Sequence, residues 1–254
     1  MASRDEIVSF LDDLLRTAAV KEECNGLQVQ GVAAVRRVGL AVDACLEAYE
    51  RAAAADCQML VVHHKLIWGG GIKSITGRMY EHVNFLIRHG LNLYGSHLPL
   101  DMHPELGNNA QLAKLLTLDD VAPFGEHHGE VIGFSGTLPQ PASPKELARR
   151  LGEALGGSPV VLEFGPPQVR RVGIVSGGAA DMVEQACRAG LDAYVTGEPA
   201  HFAYQLSREL RANVIYLGHY HSETPGVRAV GERLTERFGV ECVFLDIGAP
   251  NAGM

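Results

Sequence analysis

Two adjacent histidines, His63 and His64, close the short apolar run Met59-Leu60-Val61-Val62. Four apolar residues after Ala55-Asp56 read as a buried strand, and α/β proteins place ligands at the ends of such strands. Successive strand residues point to opposite sides, so the two imidazoles are not both core residues and are expected to reach two different metals. A lone histidine is more often structural, so the case depends on partners elsewhere in the chain. His97 with Asp101, and His219 with Glu223, provide two His-x-x-x-acid pairs. Histidine and carboxylate in this combination are metal-ligand chemistry. The plainer alternative is that Asp101 and Glu223 each cap a helix start, where carboxylates are favoured.

The elements that must position these groups are legible along the chain. Ser3 and Glu6 form a capping box for an amphipathic helix that presents Ile7, Phe10, Leu11, Leu14 and Leu15 on one face. A parallel-type strand over 35–42 ends at Asp43, and a helix over 44–54 leads to the strand bearing His63 and His64. Trp68-Gly69-Gly70-Gly71 is a flexible loop, and its continuation lacks P-loop spacing. A helix over 75–88 precedes a strand over 91–96, and Asp101 opens a helix to about 116. Residues 123–129 read as a connection between halves, with His127 and His128 solvated. A strand over 131–138 follows, then a second capping box at Ser143-Pro144-Lys145-Glu146.

The pattern then repeats. Val35-Arg-Arg-Val-Gly-Leu40 matches Val169-Arg-Arg-Val-Gly-Ile174, and in the same alignment His64 falls on Glu198. Further on, Leu93-Tyr-Gly-Ser-His97 falls on Ile215-Tyr-Leu-Gly-His219, and Asp101 on Glu223. Repeats related by a pseudo-dyad can face their strand ends towards a shared cleft, which favours a metal site over two unrelated caps.

Composition bounds the function. The chain has 254 residues, 46% hydrophobic and 20% charged, which is a globular composition. A net charge of −8 argues against duplex nucleic acid as a partner. Five scattered cysteines without a CxxC pair suit apolar fillers in a reducing compartment. The N-terminus lacks a signal-peptide pattern and no stretch approaches a membrane span, so a cytoplasmic protein is expected.

The sequence resembles the Nif-three-like family, also called GTP cyclohydrolase I type 2 homologues. The resemblance runs through Asn25-Gly-Leu-Gln-Val29, Val62-His-His64, the stretch from His97 to Asn109, Thr196-Gly-Glu198, and Gly218-His-Tyr-His-Ser-Glu223. It implies an α/β fold of two similar lobes, an internal duplication, packed around a dinuclear metal cleft, and a homohexamer. The lobes are expected at 1–125 and 126–254, and the short join implies no inserted middle domain.

Carried over by motif, the implied metal ligands are His63, His64, Asp101, His219 and Glu223. Three imidazoles and two carboxylates suit two divalent transition-metal ions per chain, whether zinc, iron, manganese, cobalt or nickel. Glu223, with the longer arm, is the expected bridge, the alternative being a terminal ligand. His97 either ligates or orients Asp101. His103 and His221 are acid–base groups or solvated rim residues. Glu198, His201, Asp43 and Asn25 are expected to line the cleft. Ser176-Gly177-Gly178 either cradles an anion or is a plain turn.

Apart from a water on the metals, the candidate catalytic groups are His97, Glu198 and His221. The expected activity is metal-dependent hydrolysis of a nucleotide or similar small molecule. The alternative is a non-enzymatic metal carrier or metal-dependent assembly protein. A regulator that docks on a protein partner finds no support in a basic patch or an exposed heptad.

Overall fold

Ser3 and Glu6 cap each other at the start of the chain, as their spacing predicts. In the structure, a computed structural model that describes residues 1–248, Ser3 Oγ accepts from Asp5 N at 3.2 Å and Ser3 N donates to Glu6 at 3.3 Å. The chain divides into two units, Met1–Leu100 with Val227–Ile247, and Asp101–Gly226.

In the first unit, Ala2–Ser3 (β1) leads into Arg4–Leu15 (α1), whose Ile7, Leu11 and Leu15 are buried at helical spacing. Then follow Gly26–Val29 (β2), Ala34–Val35 (β3), Arg37–Asp43 (β4), Leu46–Ala54 (α2), Met59–His64 (β5), Gly77–Arg88 (α3), Asn92–Gly95 (β6) and Leu98–Asp101 (α4). Strands β4, β5 and β6 run parallel, with helices in the connections, and are covered on both faces. Val38, Leu40, Met59 and Val61 pack with α1 on one side, while Leu60, Val62 and Leu93 pack with Ala48, Tyr49 and Leu86 on the other. Asp43 pairs with His64 in the ladder, so β4 and β5 end level.

The second unit contains Asn108–Leu115 (α5), Asp119–His127 (β7), Glu130–Ala142 (β8), Pro144–Leu155 (α6), Val160–Glu163 (β9), Val169–Ile174 (β10), Val183–Arg188 (α7), Ala193–Thr196 (β11), His201–Glu209 (α8) and Asn213–Tyr216 (β12). Its sheet has the order β7-β8-β10-β11-β12-β9, with β10, β11 and β12 parallel.

Two expectations are corrected here. Residues 123–129 are not a plain connection, since β7 pairs with β8 through a tight turn at His128 and Gly129, both at positive φ. Strand β7 tolerates Pro123 because it lies at the edge of its sheet, where a missing donor is not needed. Nor does one helix run from Asp101 to 116. The chain breaks after α4 at Pro104, and the His103 ring accepts from the Glu105 and Leu106 amides before α5 begins. At α6, Ser143 accepts from Glu146 N as expected, but the Glu146 carboxylate pairs with Arg149.

His219–Phe238 (α9) and Glu241–Phe244 (β13) complete the described chain. Strand β13 adds parallel to β4, giving the order β13-β4-β5-β6-β2. Val227, Val230 and Leu234 share a core with Ile7 and Leu11, which is why the last segment belongs to the first unit. The units therefore interleave along the chain, whereas the sequence reading divides it once, between 125 and 126. Among the described residues no helix is long and apolar enough to cross a membrane.

Candidate metal centre

The first unit gathers three imidazoles at the ends of β5 and β6. Ring nitrogens of His63, His64 and His97 lie within 4.8 Å of one another. The rings of His63 and His64 do not diverge as strand alternation predicts; their centroids are 4.8 Å apart. Each ring is held through the same nitrogen. Nδ1 of His63 faces the Ser96 carbonyl at 3.2 Å, Nδ1 of His64 faces Asp43 Oδ1 at 2.8 Å, and Nδ1 of His97 faces Glu22 Oε1 at 2.6 Å. Carbonyl and ionised carboxylate oxygens only accept, so each Nδ1 carries the proton. In the neutral imidazole that leaves Nε2 as the basic nitrogen, the arrangement of histidines that bind metals.

Behind His97 stands a polar network that sequence reasoning missed. The Lys65 side chain is buried, and its Nζ meets Glu22 at 3.2 Å and donates to the Glu23 carbonyl at 2.8 Å. Glu22 also accepts from Leu98 N and from Asn25 Nδ2, both at 3.1 Å. Burial alone would raise the Glu22 carboxyl, but hydrogen bonding by His97 and the charges of His97 and Lys65 hold it down at about 2. Asn25 further accepts from His97 N at 3.0 Å. Its place is thus to fix His97 and Glu22 together.

In the second unit, Asp101 is 6% exposed, and its Oδ1 accepts from Asn108 Nδ2 at 2.9 Å and Ser176 Oγ at 3.2 Å. Asn109 accepts from Ser176 N at 2.7 Å, locking the turn after β10. His219 opens α9 and Glu223 sits one turn later. Nδ1 of His219 lies 3.1 Å from Glu198 and its Nε2 3.2 Å from Glu223. Burial would lower the imidazole's affinity for protons, yet Glu223 and then Glu198 outweigh it and hold its pKa up at about 9. A cation at Nε2 and Glu223 would take the place of that proton. Glu198 gives His219 the same Nδ1 support that Asp43 gives His64.

In the turn Ser176-Gly177-Gly178 the first two amides are engaged within the protein. Gly177 N donates to Ser222 at 3.0 Å, and its carbonyl accepts from the Gly197 and Glu198 amides. Glycine is required here because a Cβ would lie 2.4 Å from Glu223 Oε1, at a φ of +69°. Sequence reading marked this turn but not its contact with the acid.

The remaining histidines fall elsewhere. His221 packs against Gly157, and His103 serves its local turn. His201 is exposed at the start of α8. His127 and His128 meet edge to face at the β-turn, and among the described residues neither joins a metal-competent group. The described residues thus contain histidine and glutamate groups that could bind a metal ion.

A family model described as Duf34/NIF3 (NGG1p interacting factor 3) matches residues 2–250. An Archaeoglobus fulgidus protein named GTP cyclohydrolase 1 type 2 homolog is 44% identical over 243 residues, covering 95% of this chain and 97% of the relative. A Pyrococcus horikoshii protein of the same name is 45% identical over 245 residues, covering 96% and 97%. The crystal structure of a Thermus thermophilus protein matches with a TM-score of 0.90 at 38% identity, over 100% of both chains. The protein ybgI, of unknown function, matches with a TM-score of 0.89 at 34% identity, over 98% of this chain and 100% of that one. The mixed α/β fold, the histidine-rich strand ends and these matches over nearly the whole chain agree: the chain belongs to the Duf34/NIF3 family.

Proposed function

We propose that this protein holds two divalent transition-metal ions through His63, His64, Asp101, His219 and Glu223, and that it is a hydrolase of a nucleotide or similar small molecule. The single observation that carries the reading is the uniform use of Nδ1. His63, His64, His97 and His219 each engage an acceptor through that atom. A histidine serving only packing or surface charge has no reason to share this orientation with three others. Nitrogen-rich ligands with two carboxylates suit zinc, iron, manganese, cobalt or nickel better than calcium. We further propose that the two units are copies of one ancestral lobe. The run of three parallel strands joined in chain order within each sheet, β4-β5-β6 and β10-β11-β12, and the matched His-x-x-x-acid pairs support this.

Such ions, when bound, supply Lewis acidity and lower the pKa of coordinated water. The chain's own groups do the rest. Asp43 and Glu198 orient His64 and His219, and Asn108 with Ser176 fixes Asp101. His97, backed by Glu22, is the group placed to hold a proton at Nδ1 while presenting Nε2. The name carried by the curated relatives supports a purine nucleotide as the first substrate to try. Self-association into a hexamer in the cytoplasm completes the proposal.

The test is a screen of GTP, other nucleotides and simple phosphodiesters against metal-loaded wild type and Asp101→Asn. Turnover by the wild type that disappears in the variant supports hydrolysis. Equal turnover in both identifies a contaminant. No turnover with metals bound favours a carrier instead.

A further inference from the structure

The chain's one tryptophan is neither core nor loosely attached surface. Trp68 is 41% exposed, although an indole is among the side chains that folding most gains from covering. Its backbone is nevertheless tied down. The Trp68 carbonyl accepts from Gly71 N at 3.0 Å and from Cys24 Sγ at 3.4 Å. The preceding residue, Ile67, exchanges both backbone bonds with the Gln28 side chain, at 2.8 and 3.0 Å.

The ring is fixed as well. The Lys65 ammonium stands over it, 4.8 Å from the centroid, and the His97 ring meets it nearly at right angles at 5.0 Å. His64 lies 6.4 Å away. Beyond it, Gly69-Gly70-Gly71 carries no side chain that would cover the ring, and the space beside Gly70 and Gly71 is open.

We propose that Trp68 is a stacking platform for a flat heteroaromatic ring, and that the ligand taken up beside His64 and His97 carries such a ring. With Lys65 over one face, the surface left to a ligand is the rest of the indole, bordered by imidazoles. An aliphatic chain laid there would cover the indole but desolvate those polar edges without replacing their hydrogen bonds. A nitrogen heterocycle stacks on the indole and offers edge donors and acceptors to its polar surround. Stacking of this kind tolerates any base, because every base has a π-face. Trp68 would therefore select the class of ring, and the residues around it the particular one. The inference rests on the metal-site reading only for what the ring is brought next to.

A single tryptophan makes the platform its own reporter. Zinc-loaded protein is titrated with guanosine monophosphate, uridine monophosphate, nicotinamide mononucleotide and, as the ring-free control, ribose 5-phosphate. Trp68 emission is followed, and zinc content is measured on the same samples. The expected result is saturable quenching by at least one of the flat-ring compounds and none by ribose 5-phosphate. For the compound that quenches, calorimetry should show binding weakened roughly 5- to 150-fold in Trp68→Leu and largely retained in Trp68→Phe. Zinc content should be the same in all three proteins. Quenching by none of the flat rings, equal affinity in Trp68→Leu, or a Trp68 already shielded from acrylamide by a second copy of the chain overturns the proposal. Wild type that takes up no zinc would instead sink the metal-site reading, and the titration without zinc would then decide the platform alone.

Discussion

Replacing Gly177 with alanine should weaken metal binding at the His219–Glu223 pair without unfolding the chain. A Cβ at this position would lie 2.4 Å from Glu223 Oε1 and 3.2 Å from His219 Nε2. Real Cβ atoms essentially never come within 3.0 Å of a neighbour, so the carboxylate must retreat by at least 3.0 − 2.4 = 0.6 Å. Metal–ligand distances hold to about ±0.2 Å, so this is some three times the usual tolerance. Disturbing groups that merely support a ligand costs roughly 10- to 100-fold in metal affinity, and moving a ligand should cost at least as much. The left-handed backbone at φ +69° adds roughly 1–2 kcal/mol of strain, which a domain stable by about 5–15 kcal/mol survives. Gly156→Ala is the control, because its φ is +77° and nothing lies within 4 Å of the added carbon. Calorimetric titration with zinc and a thermal melt should be run on all three proteins. Both variants should melt somewhat lower, while only Gly177→Ala loses affinity. Zinc binding by Gly177→Ala equal to that of the wild type would refute the role given to Gly177, and with it Glu223 as a ligand.

Other outcomes follow from the same structure. Asp43→Ala removes the acceptor of His64 Nδ1 and should weaken metal binding roughly 10- to 100-fold, with the fold intact by circular dichroism. Leu234→Ala should cost about 2–5 kcal/mol in denaturant unfolding, since Leu234 is fully buried with Ile7 and Leu11; a cost under about 1 kcal/mol would count against the returning segment's place in that core. Burial holds the Cys57 thiol up at about 11 against its ordinary 9.0. Below pH 9 both states keep this proton, and between 9 and 11 only the unfolded chain releases it. Its contribution to stability should thus be full well below pH 9 and fall by about 2 kcal/mol on reaching pH 11. Cys57→Ser should lack that part of the alkaline decline, and parallel decline in both proteins would contradict it.

Much of the frame was legible because its signals are local. Ser3 and Glu6 announce α1, and the apolar runs ending at Asp43 and His64 announce two strands that do end level. The histidines stood out by type and spacing, and the family motifs completed the ligand set. What escaped detection depends on approach between segments distant in sequence. Glu22 looks like any surface acid until Lys65 and His97 close on it. Asn108 and Asn109 carry no signal of their own until they reach Asp101 and Ser176. Residues 123–129 read as a connection, and only the pairing with β8 shows that they belong to an edge strand and its turn. The return of α9 to the core of α1 rests on Val227, Val230 and Leu234, whose helical spacing says that they are buried but not against what.

The central claim, two metal ions on the named ligands, is tested most directly by elemental analysis of purified, metal-loaded protein. Wild type, His64→Ala and Glu223→Ala should be measured side by side at known protein concentration. The account predicts about two transition-metal ions per chain in the wild type and the loss of one or both in each variant. Metal content unchanged in both variants, or a wild type that retains none, would contradict it.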